Sequence, residues 1–483
     1  MEFSAFEHHL TSPQGRGCLP AHSFSARAGG YACCDEIVVA LAVEGDRVAD
    51  AGFEANGCGA ATAAGSAAVT LVRGQHVLDA ARVGPREIAS ELGGLSPGKL
   101  HAAELAADAL ARALGGAARQ QAQLVSPEAG RSLVAVSGGV DSAVAALLSS
   151  RAGEAVTVTL ELWRDEENDA ERSCCSATAV SQARALAHSL GMPHFTIDLR
   201  AEFRAGVVDP FMAGYASGET PNPCVGCNGQ VRLDAMLDLA TRLGCETLAT
   251  GHYARVTETD DPAGPLLRVA ADQAKDQTYM LAALEPASLA RMRFPLGEMT
   301  KPQVRALAAD AGLPVATKAE SQDLCFLAGT DRGRFLARHG DISDQPGEIV
   351  DRRGAVLGRH RGQHRFTVGQ RRGIGVTSSE PLYVLAKDAP RRRVVVGPRA
   401  ALKTRTVALR DVRLHRSSAR VRHAKLRYRA RPLRARVTRD VGAGRHATLG
   451  LELEDAALGP APGQLACLMD GELVVGWATI ARP

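Results

Sequence analysis

One segment is the most informative about the fold: Ser132-Leu133-Val134-Ala135-Val136-Ser137-Gly138-Gly139-Val140-Asp141-Ser142. Its first five residues predict a short strand, and residues 143–151 predict an alanine-rich helix, so the glycines lie in a strand-to-helix turn. Such a turn presents backbone N–H groups to an anion, and the helix N-terminus adds partial positive charge. Ser137 and Ser142 can donate hydrogen bonds to phosphate, and Asp141 can reach a magnesium ion. The stretch lacks the lysine of a Walker loop, and the alternative is a glycine-rich turn without a ligand.

Strands and helices alternate on the C-terminal side of this loop. The predicted strands are 155–162, 194–198 and 246–250, and the predicted helices are 177–190 and 229–243. This alternation is typical of an α/β fold with a doubly wound parallel sheet.

The segments before and after the predicted parallel sheet have different patterns of predicted strands and helices. A strand pair over 36–53 and helices over 60–73 and 99–114 predict a small N-terminal α+β domain. Beyond about residue 345, short Val/Leu/Arg strands separated by Gly and Pro predict small C-terminal β domains, including a β-barrel. Gly, Gln and Pro interrupt the periodicity over 115–131. The predicted domains are therefore 1–118, 132–330, 331–397 and 398–483, with a linker at 119–131.

Charge is distributed unevenly along the 483 residues, although the net charge is only +4. Residues 1–350 carry −14, residues 351–450 carry +22, and residues 451–483 carry −4. Such asymmetry indicates a polyanionic partner, with a solvated basic face as the alternative.

The cysteines indicate a reducing compartment. There are eleven, many of them clustered, in a chain whose first residues lack the pattern of a signal peptide. The longest weakly polar run, near 59–72, is too short to span a bilayer. We expect a cytoplasmic protein without a membrane partner, in which cysteine serves metal binding or catalysis.

Several motifs carry a resemblance to known families. Residues 137–142 resemble the pyrophosphate loop of N-type ATP pyrophosphatases. With that loop, four further strings closely resemble the tRNA-specific 2-thiouridylases over residues 132 to 483: Thr220-Pro221-Asn222-Pro223-Cys224-Val225-Gly226-Cys227-Asn228, Ala249-Thr250-Gly251-His252-Tyr253, Lys275-Asp276-Gln277-Thr278-Tyr279, and Ser321-Gln322-Asp323-Leu324-Cys325-Phe326.

This resemblance implies cofactors, a substrate and site residues. It implies ATP and Mg²⁺, tRNA as substrate, and a cysteine desulfurase or sulfur-relay protein as the donor of persulfide sulfur. The implied ATP-binding residues are Ala135, Val136, Ser137, Gly138, Gly139, Val140, Asp141, Ser142, Leu160 and Gly251. The implied tRNA-binding residues are Asn222, Pro223, Cys224, His252, Lys275, Asp276, Gln277, Arg427, Tyr428 and Gln464.

The resemblance also implies that Cys227 is the catalytic cysteine and that Cys325 carries the persulfide sulfur. From the residues, Cys227 precedes a helix predicted to start near Gly229, where the dipole would stabilise a thiolate. Adenylation would turn the C2 oxygen of uridine into a good leaving group. Cys227 would then either form a disulfide with Cys325 and release sulfide, or act on the adenylated base. The sequence leaves both routes open.

Cys224 departs from the thiouridylase pattern, which has Asp at this position. The departure creates a Cys-x-x-Cys pair. Cys224, Cys227 and Cys325, with Cys174 or Cys175, could bind zinc or an iron–sulfur cluster. The alternative is a set of unrelated local substitutions.

The N-terminal region resembles the NifU/IscU-type iron–sulfur cluster assembly scaffolds over about residues 25–115. The resemblance implies Cys33, Asp35, Cys58 and His101 as ligands of zinc or an iron–sulfur cluster. Ala102 stands where these scaffolds have a further cysteine, and Cys34 where they have glycine. The alternatives are a domain kept for docking, or structural cysteines.

Two further functions fit parts of the sequence. Another ATP pyrophosphatase, such as an amidotransferase-type synthetase, would need neither Cys227 nor Cys325. An iron–sulfur scaffold with C-terminal docking modules would not need residues 137–142 intact. The other ATP pyrophosphatase would not need the basic C-terminal half either.

Overall fold

The computed structural model describes residues 4–29, 34–165, 176–259, 261–318, 324–327, 330–340 and 342–482. The chain divides into two compact units. The first comprises 1–200, 235–252 and 291–326, and the second comprises 201–234, 253–290 and 327–483.

The N-terminal part of the first unit is an α+β domain, as predicted. Its elements are α1 (Ala5–Thr11), β1 (Phe24–Gly29), β2 (Glu36–Glu44), β3 (Arg47–Asn56), α2 (Gly59–Val72), α3 (Val77–Ala80), α4 (Pro85–Glu91) and α5 (Leu100–Gln120). The strands pair antiparallel in the order β1-β2-β3. The small residues of α2 allow it to approach the sheet closely, since a Cβ at Gly65 would lie 2.3 Å from the Phe53 ring.

The middle of the chain contains the parallel sheet, one strand of which leads into the glycine loop, together with its helices. The elements up to residue 249 are β4 (Glu128–Ala135), α6 (Val140–Ala152), β5 (Ala155–Glu161), α7 (Ala177–Ser189), β6 (His194–Asp198), α8 (Arg200–Phe203), α9 (Asp209–Ala216), α10 (Pro223–Gly226), α11 (Asp234–Arg242) and β7 (Cys245–Ala249). Those that follow are β8 (Arg255–Val256), β9 (Leu267–Arg268), α12 (Thr278–Leu281), α13 (Pro286–Arg291), β10 (Met292–Arg293), α14 (Lys301–Asp310) and α15 (Arg332–Gly340). Two π-helical stretches, Arg204–Val208 and Cys227–Leu233, precede α9 and α11.

Five of these strands confirm the predicted parallel sheet. They lie in the order β10-β7-β4-β5-β6, and every neighbouring pair is parallel. The strand that leads into the glycine loop, β4, is central, and every residue of β5 is buried. Helices before and after these strands make the sheet doubly wound, so the carboxyl ends of β4, β5 and β7 share one edge.

The N-terminal domain packs against this sheet within the first unit. The His194 N–H, at the edge strand β6, donates to the carbonyl of Ala81 over 2.9 Å. Gly115 of α5 faces β6 so closely that a Cβ there would lie 2.0 Å from the Thr196 carbonyl oxygen. Helix α5 continues to Gln120 and β4 begins at Glu128, so the irregular stretch predicted over 115–131 is shorter than expected. Close packing on β6 explains why Gly115 does not interrupt the helix.

The second unit contains the predicted small β domains. Strands β11 (Gly347–Val350), β12 (Val356–His360), β13 (Leu382–Asp388) and β14 (Arg393–Pro398) form a sheet in the order β12-β11-β14-β13. The last strands are β15 (Lys403–Leu414), β16 (His423–Lys425), β17 (Leu433–Val437), β18 (Gly444–Leu458), β19 (Leu465–Asp470) and β20 (Leu473–Ile480). Pairing runs β15-β18-β17-β16-β19-β20, and β15 also pairs with β20, which closes the barrel.

Within the described ranges, the structure contains no helix with both the length and the apolar character needed to cross a membrane.

Candidate functional site

The loop between β4 and α6 turns on Gly138. Its φ of +67° is in the left-handed region, and a Cβ there would lie 3.0 Å from the Ala179 carbonyl oxygen. The Ser142 hydroxyl accepts a hydrogen bond from the Ser137 N–H over 3.1 Å and donates to the Gly139 carbonyl over 3.0 Å. These two bonds close the loop, and the role of Ser142 toward phosphate stays a prediction. The first N–H groups of α6, which a helix leaves without intrahelical acceptors, could also donate to an anion.

Gly251 packs on this loop from the end of β7. A Cβ at position 251 would lie 2.7 Å from both the Asp141 carbonyl carbon and the Ser142 nitrogen, so no larger residue fits without moving the loop. Leu160 is buried at the carboxyl end of β5. The structure therefore brings residues 135–142, Leu160 and Gly251 together at one edge of the sheet, where α/β sheets bind ligands.

Two lysines that the sequence analysis missed contact the loop. Nζ of Lys301 lies 2.7 and 2.9 Å from the two carboxylate oxygens of Asp141. Nζ of Lys318 donates to the Gly138 carbonyl and to Oε1 of Gln182, each over 2.9 Å. They lie 160 and 180 residues from their loop partners, so no local motif marks them.

The role of Asp141 toward Mg²⁺ stays a prediction, and the chemistry of its side chain is compatible with it. The side chain is 34% exposed. A carboxylate can bind a magnesium ion directly or accept from the water of a hydrated one.

The cysteine loop of the second unit begins its helix earlier than we predicted. Oδ1 of Asn222 accepts the Cys224 N–H over 3.2 Å, and Pro223 occupies the first helical turn. Asn at the cap and Pro at the first position are standard start signals, so the helix begins at Pro223 rather than near Gly229. Cys227 lies in the second turn, at the start of the π-helical stretch, and not at the N-terminus. The expectation that the helix dipole acts on Cys227 was therefore wrong.

The cysteines predicted to act in sulfur transfer or metal binding, Cys224, Cys227 and Cys325, lie in different surroundings. The thiol of Cys224 is half-buried, and burial raises its pKa. Cys227 is buried, with 6% exposure. Cys325 is half-buried in a 3₁₀ turn and belongs to the first unit. Cys174 and Cys175 lie outside the described residues, so the proposed metal or cluster site at these cysteines stays a prediction.

Most of the positions predicted to contact tRNA belong to the second unit. The side chain of Asp276 is buried, accepts from the Thr278 hydroxyl over 2.8 Å, and pairs with Lys425 over 3.3 Å. Gln277 and Tyr253 exchange hydrogen bonds, each over 2.9 Å. Lys275 is half-buried, whereas His252 belongs to the first unit.

Two aromatic rings lie side by side near Cys224. The rings of Tyr279 and Tyr428 have centroids 6.2 Å apart and are tilted by 40°. The hydroxyl of Tyr279 donates to the Leu465 carbonyl over 2.8 Å, which anchors that ring, while Tyr428 is half-buried. Burial raises the pKa of Tyr428 and keeps it neutral. The face of a neutral tyrosine is a surface on which a base can stack.

Arg427 and Gln464 have structural partners within the second unit. The Arg427 guanidinium donates to the carbonyls of Val368 and Gly459, over 3.2 and 2.8 Å. The Gln464 amide donates to the Thr220 carbonyl over 2.5 Å. These contacts tie the barrel to the β11–β14 region and to the segment that precedes the cysteine loop.

Three predicted ligands meet in the N-terminal domain. Oδ2 of Asp35 accepts from Sγ of Cys58 over 3.0 Å and lies 2.9 Å from Nε2 of His101. Asp35 is buried, and the Cys58 thiol, followed by His101, lowers its pKa. Gly57, with φ of +134°, leaves room for this carboxylate, since a Cβ there would lie 2.0 Å from Oδ1. A thiol, a carboxylate and an imidazole suit Zn²⁺ or a cluster iron.

The remaining positions compared with the scaffold family, Cys33, Cys34 and Ala102, do not add a ligand to this group in the described residues. Cys33 lies outside the described residues. Cys34 is exposed and adopts a φ of +56°. Ala102 is fully buried in α5, next to His101. Its methyl group fills the core and provides no ligand.

Comparison with protein families matches three regions of the chain. Residues 4–123 match the NifU-like N terminal domain, residues 131–329 the tRNA methyl transferase HUP domain, and residues 333–398 the tRNA methyl transferase PRC-barrel domain.

Curated relatives match over most of their length. A bifunctional protein NifU/MnmA from Rubrobacter xylanophilus is 43% identical over 488 residues, which cover 98% of this chain and 97% of the relative. A tRNA-specific 2-thiouridylase MnmA from Xanthobacter autotrophicus is 43% identical, over 74% of this chain and 94% of its own. One from Chloroflexus aggregans is 44% identical, over 73% and 98%. Both resemblances found in the sequence are confirmed.

Proposed function

This chain belongs to the family of bifunctional NifU/MnmA proteins, and on that premise we propose that it is an ATP-dependent tRNA 2-thiouridylase whose N-terminal domain helps to supply the sulfur. The 2-thiouridylase relatives are named for this modification, and they cover 74% and 73% of this chain. The observation that supports the proposed ATP-dependent chemistry is the packing of Gly251 against Asp141 and Ser142, which brings two separate motifs into contact.

The first step we propose is adenylation of the target base. The uridine O2 attacks the α-phosphorus of ATP. A new O–P bond forms, the bond to the bridging oxygen breaks, and pyrophosphate leaves with the negative charge while the base loses its N3 proton. Residues 135–142 would hold the phosphates through backbone N–H groups, and Asp141 would hold Mg²⁺, which would neutralise part of the phosphate charge. The carbon C2 then carries AMP, a good leaving group.

The second step transfers sulfur from a persulfide on Cys325. The Cys227 thiolate attacks the Cys325 sulfur, so that a Cys227–Cys325 disulfide forms and hydrosulfide is released. Hydrosulfide adds to C2, AMP leaves with the former O2, and the S–H proton passes to N3. An external thiol reductant supplies the two electrons that return the disulfide to two thiols. In the other route, the Cys227 thiolate adds to C2 and AMP leaves. The terminal sulfur of the Cys325 persulfide then attacks C2 and displaces the Cys227 thiolate. That thiolate attacks the inner sulfur of Cys325, so the persulfide S–S bond breaks, the Cys227–Cys325 disulfide forms and the sulfur stays on C2.

The tRNA is proposed to bind through the second unit. A base reaches a buried site only after it leaves its stack, which costs less in an anticodon loop than in a duplex. Within that loop, the wobble uridine is the target that the resemblance to tRNA-specific 2-thiouridylases implies. Tyr428 offers a stacking surface, and the +22 charge of residues 351–450 attracts the phosphates.

The N-terminal domain is proposed to hold zinc or an iron–sulfur cluster at Cys33, Asp35, Cys58 and His101 and to take sulfur from a cysteine desulfurase. Because α5 packs on β6 through Gly115, the domain is held against the sheet and does not swing on a linker. Removal of the whole domain would uncover β6. A Cys58→Ser substitution is therefore the cleaner test of sulfur supply, and desulfurase-dependent thiolation that proceeds at the wild-type rate would contradict the proposal.

The proposed reaction is tested by mass spectrometry of nucleosides from tRNA incubated with the protein, ATP, Mg²⁺ and a sulfur donor. The spectrum separates replacement of oxygen by sulfur from addition of a methyl group, which the names of two matched domains leave open. We expect thiouridine, formed together with AMP and pyrophosphate. A cytoplasmic location is part of this proposal, since tRNA, ATP and reducing thiols occur together there.

A further inference from the structure

The phosphate loop lacks a lysine of its own, but the fold places two ammonium groups against it. Lys301 begins α14, where the Gln303 side chain accepts the Thr300 N–H over 2.8 Å and so fixes the helix start. Lys318 follows α14 and reaches the opposite end of the loop at Gly138. Both lysines and the loop belong to the first unit.

The two lysines differ in charge compensation. Lys301 is 7% exposed and contacts both oxygens of Asp141, so its charge is matched by a carboxylate. The side chain of Lys318 is exposed, and its acceptors among the described residues, the Gly138 carbonyl and the Gln182 amide oxygen, are neutral. An approaching anion stabilises a cation that is hydrogen-bonded to neutral oxygens more than it stabilises a cation that already has a carboxylate partner.

We propose that Lys318 is a catalytic residue that contacts the phosphate groups of the nucleotide, and that Lys301 is a positioning residue that holds Asp141. This inference rests on the proposed adenylation chemistry. An ammonium group carries three donors, so Lys318 can reach a phosphate oxygen by rotation about its side-chain bonds while its Cα stays in place. Negative charge builds on the departing pyrophosphate as the bond to the α-phosphorus breaks, and a fixed cation stabilises that charge in the transition state.

A binding experiment tests the role of Lys318 without the thiolation reaction. Calorimetry of the full chain with ATP and with adenosine compares Lys318→Met, Lys318→Arg and the wild type, with Lys403→Met as an exposed control in β15. We expect Lys318→Met to weaken ATP binding about tenfold and to leave adenosine binding unchanged, with partial recovery in Lys318→Arg. Equal ATP affinity in the wild type and Lys318→Met overturns the assignment.

Kinetic measurements then distinguish the role of Lys318 from that of Lys301. In tRNA-dependent release of AMP, we expect Lys318→Met to lower kcat about 100-fold, the usual effect of removing one transition-state donor. Lys301→Met should raise the Mg²⁺ concentration needed for half-maximal rate, because Asp141 loses its ion pair with Lys301. Lys301→Arg should restore the wild-type requirement. An unchanged Mg²⁺ requirement in folded Lys301→Met overturns the positioning role. If the wild type makes no thiouridine but Lys318→Met still weakens ATP binding alone, the thiolation proposal fails and the phosphate contact stands.

Discussion

The thiol of Cys58 donates a hydrogen bond to the carboxylate of Asp35 over 3.0 Å, within reach of the His101 ring. The thiol lowers the pKa of Asp35, so the carboxylate is ionised at neutral pH. A metal ion that replaces the thiol proton would meet an anionic oxygen, a thiolate and an imidazole nitrogen in one place.

We predict that this site retains metal and that Cys58→Ser lowers the zinc or iron content per chain at least about tenfold. The measurement is elemental analysis of protein purified without oxygen. Cys18→Ser, at an exposed cysteine outside the site, is the matched control and should retain the metal. Acidification should release the metal, since protons compete for all three ligands. Full metal content in Cys58→Ser would rule out the site.

Gly251→Ala should nearly abolish the ATP-dependent step while the protein still folds. The added Cβ would lie 2.7 Å from the backbone of Asp141 and Ser142, so the loop must move, and misplacement of a reacting group by about 1 Å costs about 100-fold in rate. Release of pyrophosphate measures the effect. Gly442→Ala, where a Cβ meets open space, should leave the rate within about twofold of the wild type. Comparable rates in the two variants would show that the loop tolerates displacement.

Buried histidines should make the fold sensitive to acid. Burial lowers the pKa of His188 and His194, which lie between the N-terminal domain and the sheet, whereas an unfolded chain titrates near 6.5. The unfolded state then binds more protons, so their contribution to stability is complete above pH ~6.5 and is lost as the pH falls below it. Burial also lowers the pKa of His360, His364 and His415.

The urea midpoint measured from pH 8 to pH 5 checks this prediction. It should stay level above pH ~6.5 and fall below it. His194→Gln should be less stable at pH 7 and show a shallower fall, because one titrating group has been removed. His8→Gln, at an exposed histidine, should keep the wild-type slope. An identical slope in His194→Gln would contradict the assignment.

Lys425→Met should destabilise the second unit by leaving the buried Asp276 carboxylate without its cation. The cost should be about 3 kcal/mol, at the low end for a broken buried pair, because the Thr278 hydroxyl and the Ala270 N–H still donate to that carboxylate. Urea unfolding measures it. Addition of Asp276→Asn should recover part of the loss by removing the unpaired charge. Arg434→Met breaks an exposed pair with Glu454 and should change stability little.

Local patterns in the sequence were sufficient to predict the loop, the central strands and the fold class. Hydrophobic runs mark β4 and β5 because parallel strands are buried on both faces. The helix start at Pro223 could have been predicted from Asn222-Pro223, which are a helix cap followed by proline at the first helical position. We instead placed the start after the cysteines, near Gly229. The extension of α5 through Gly115 depends on its packing against Thr196, and Lys301 and Lys318 reach the loop across 160 and 180 residues. Such distant contacts leave no periodic signal in a single sequence.

The most direct test of the central claim compares thiouridine formed on tRNA by the wild type and by Cys325→Ala, with ATP, Mg²⁺ and a cysteine desulfurase as the sulfur supply. Cys245→Ala, at a buried cysteine outside the predicted sites, is the control. We predict thiouridine with the wild type and with Cys245→Ala. With Cys325→Ala we predict none, although the adenylation step still releases pyrophosphate. Thiouridine formed by Cys325→Ala at the wild-type rate, or none formed by the wild type, would contradict the proposed mechanism.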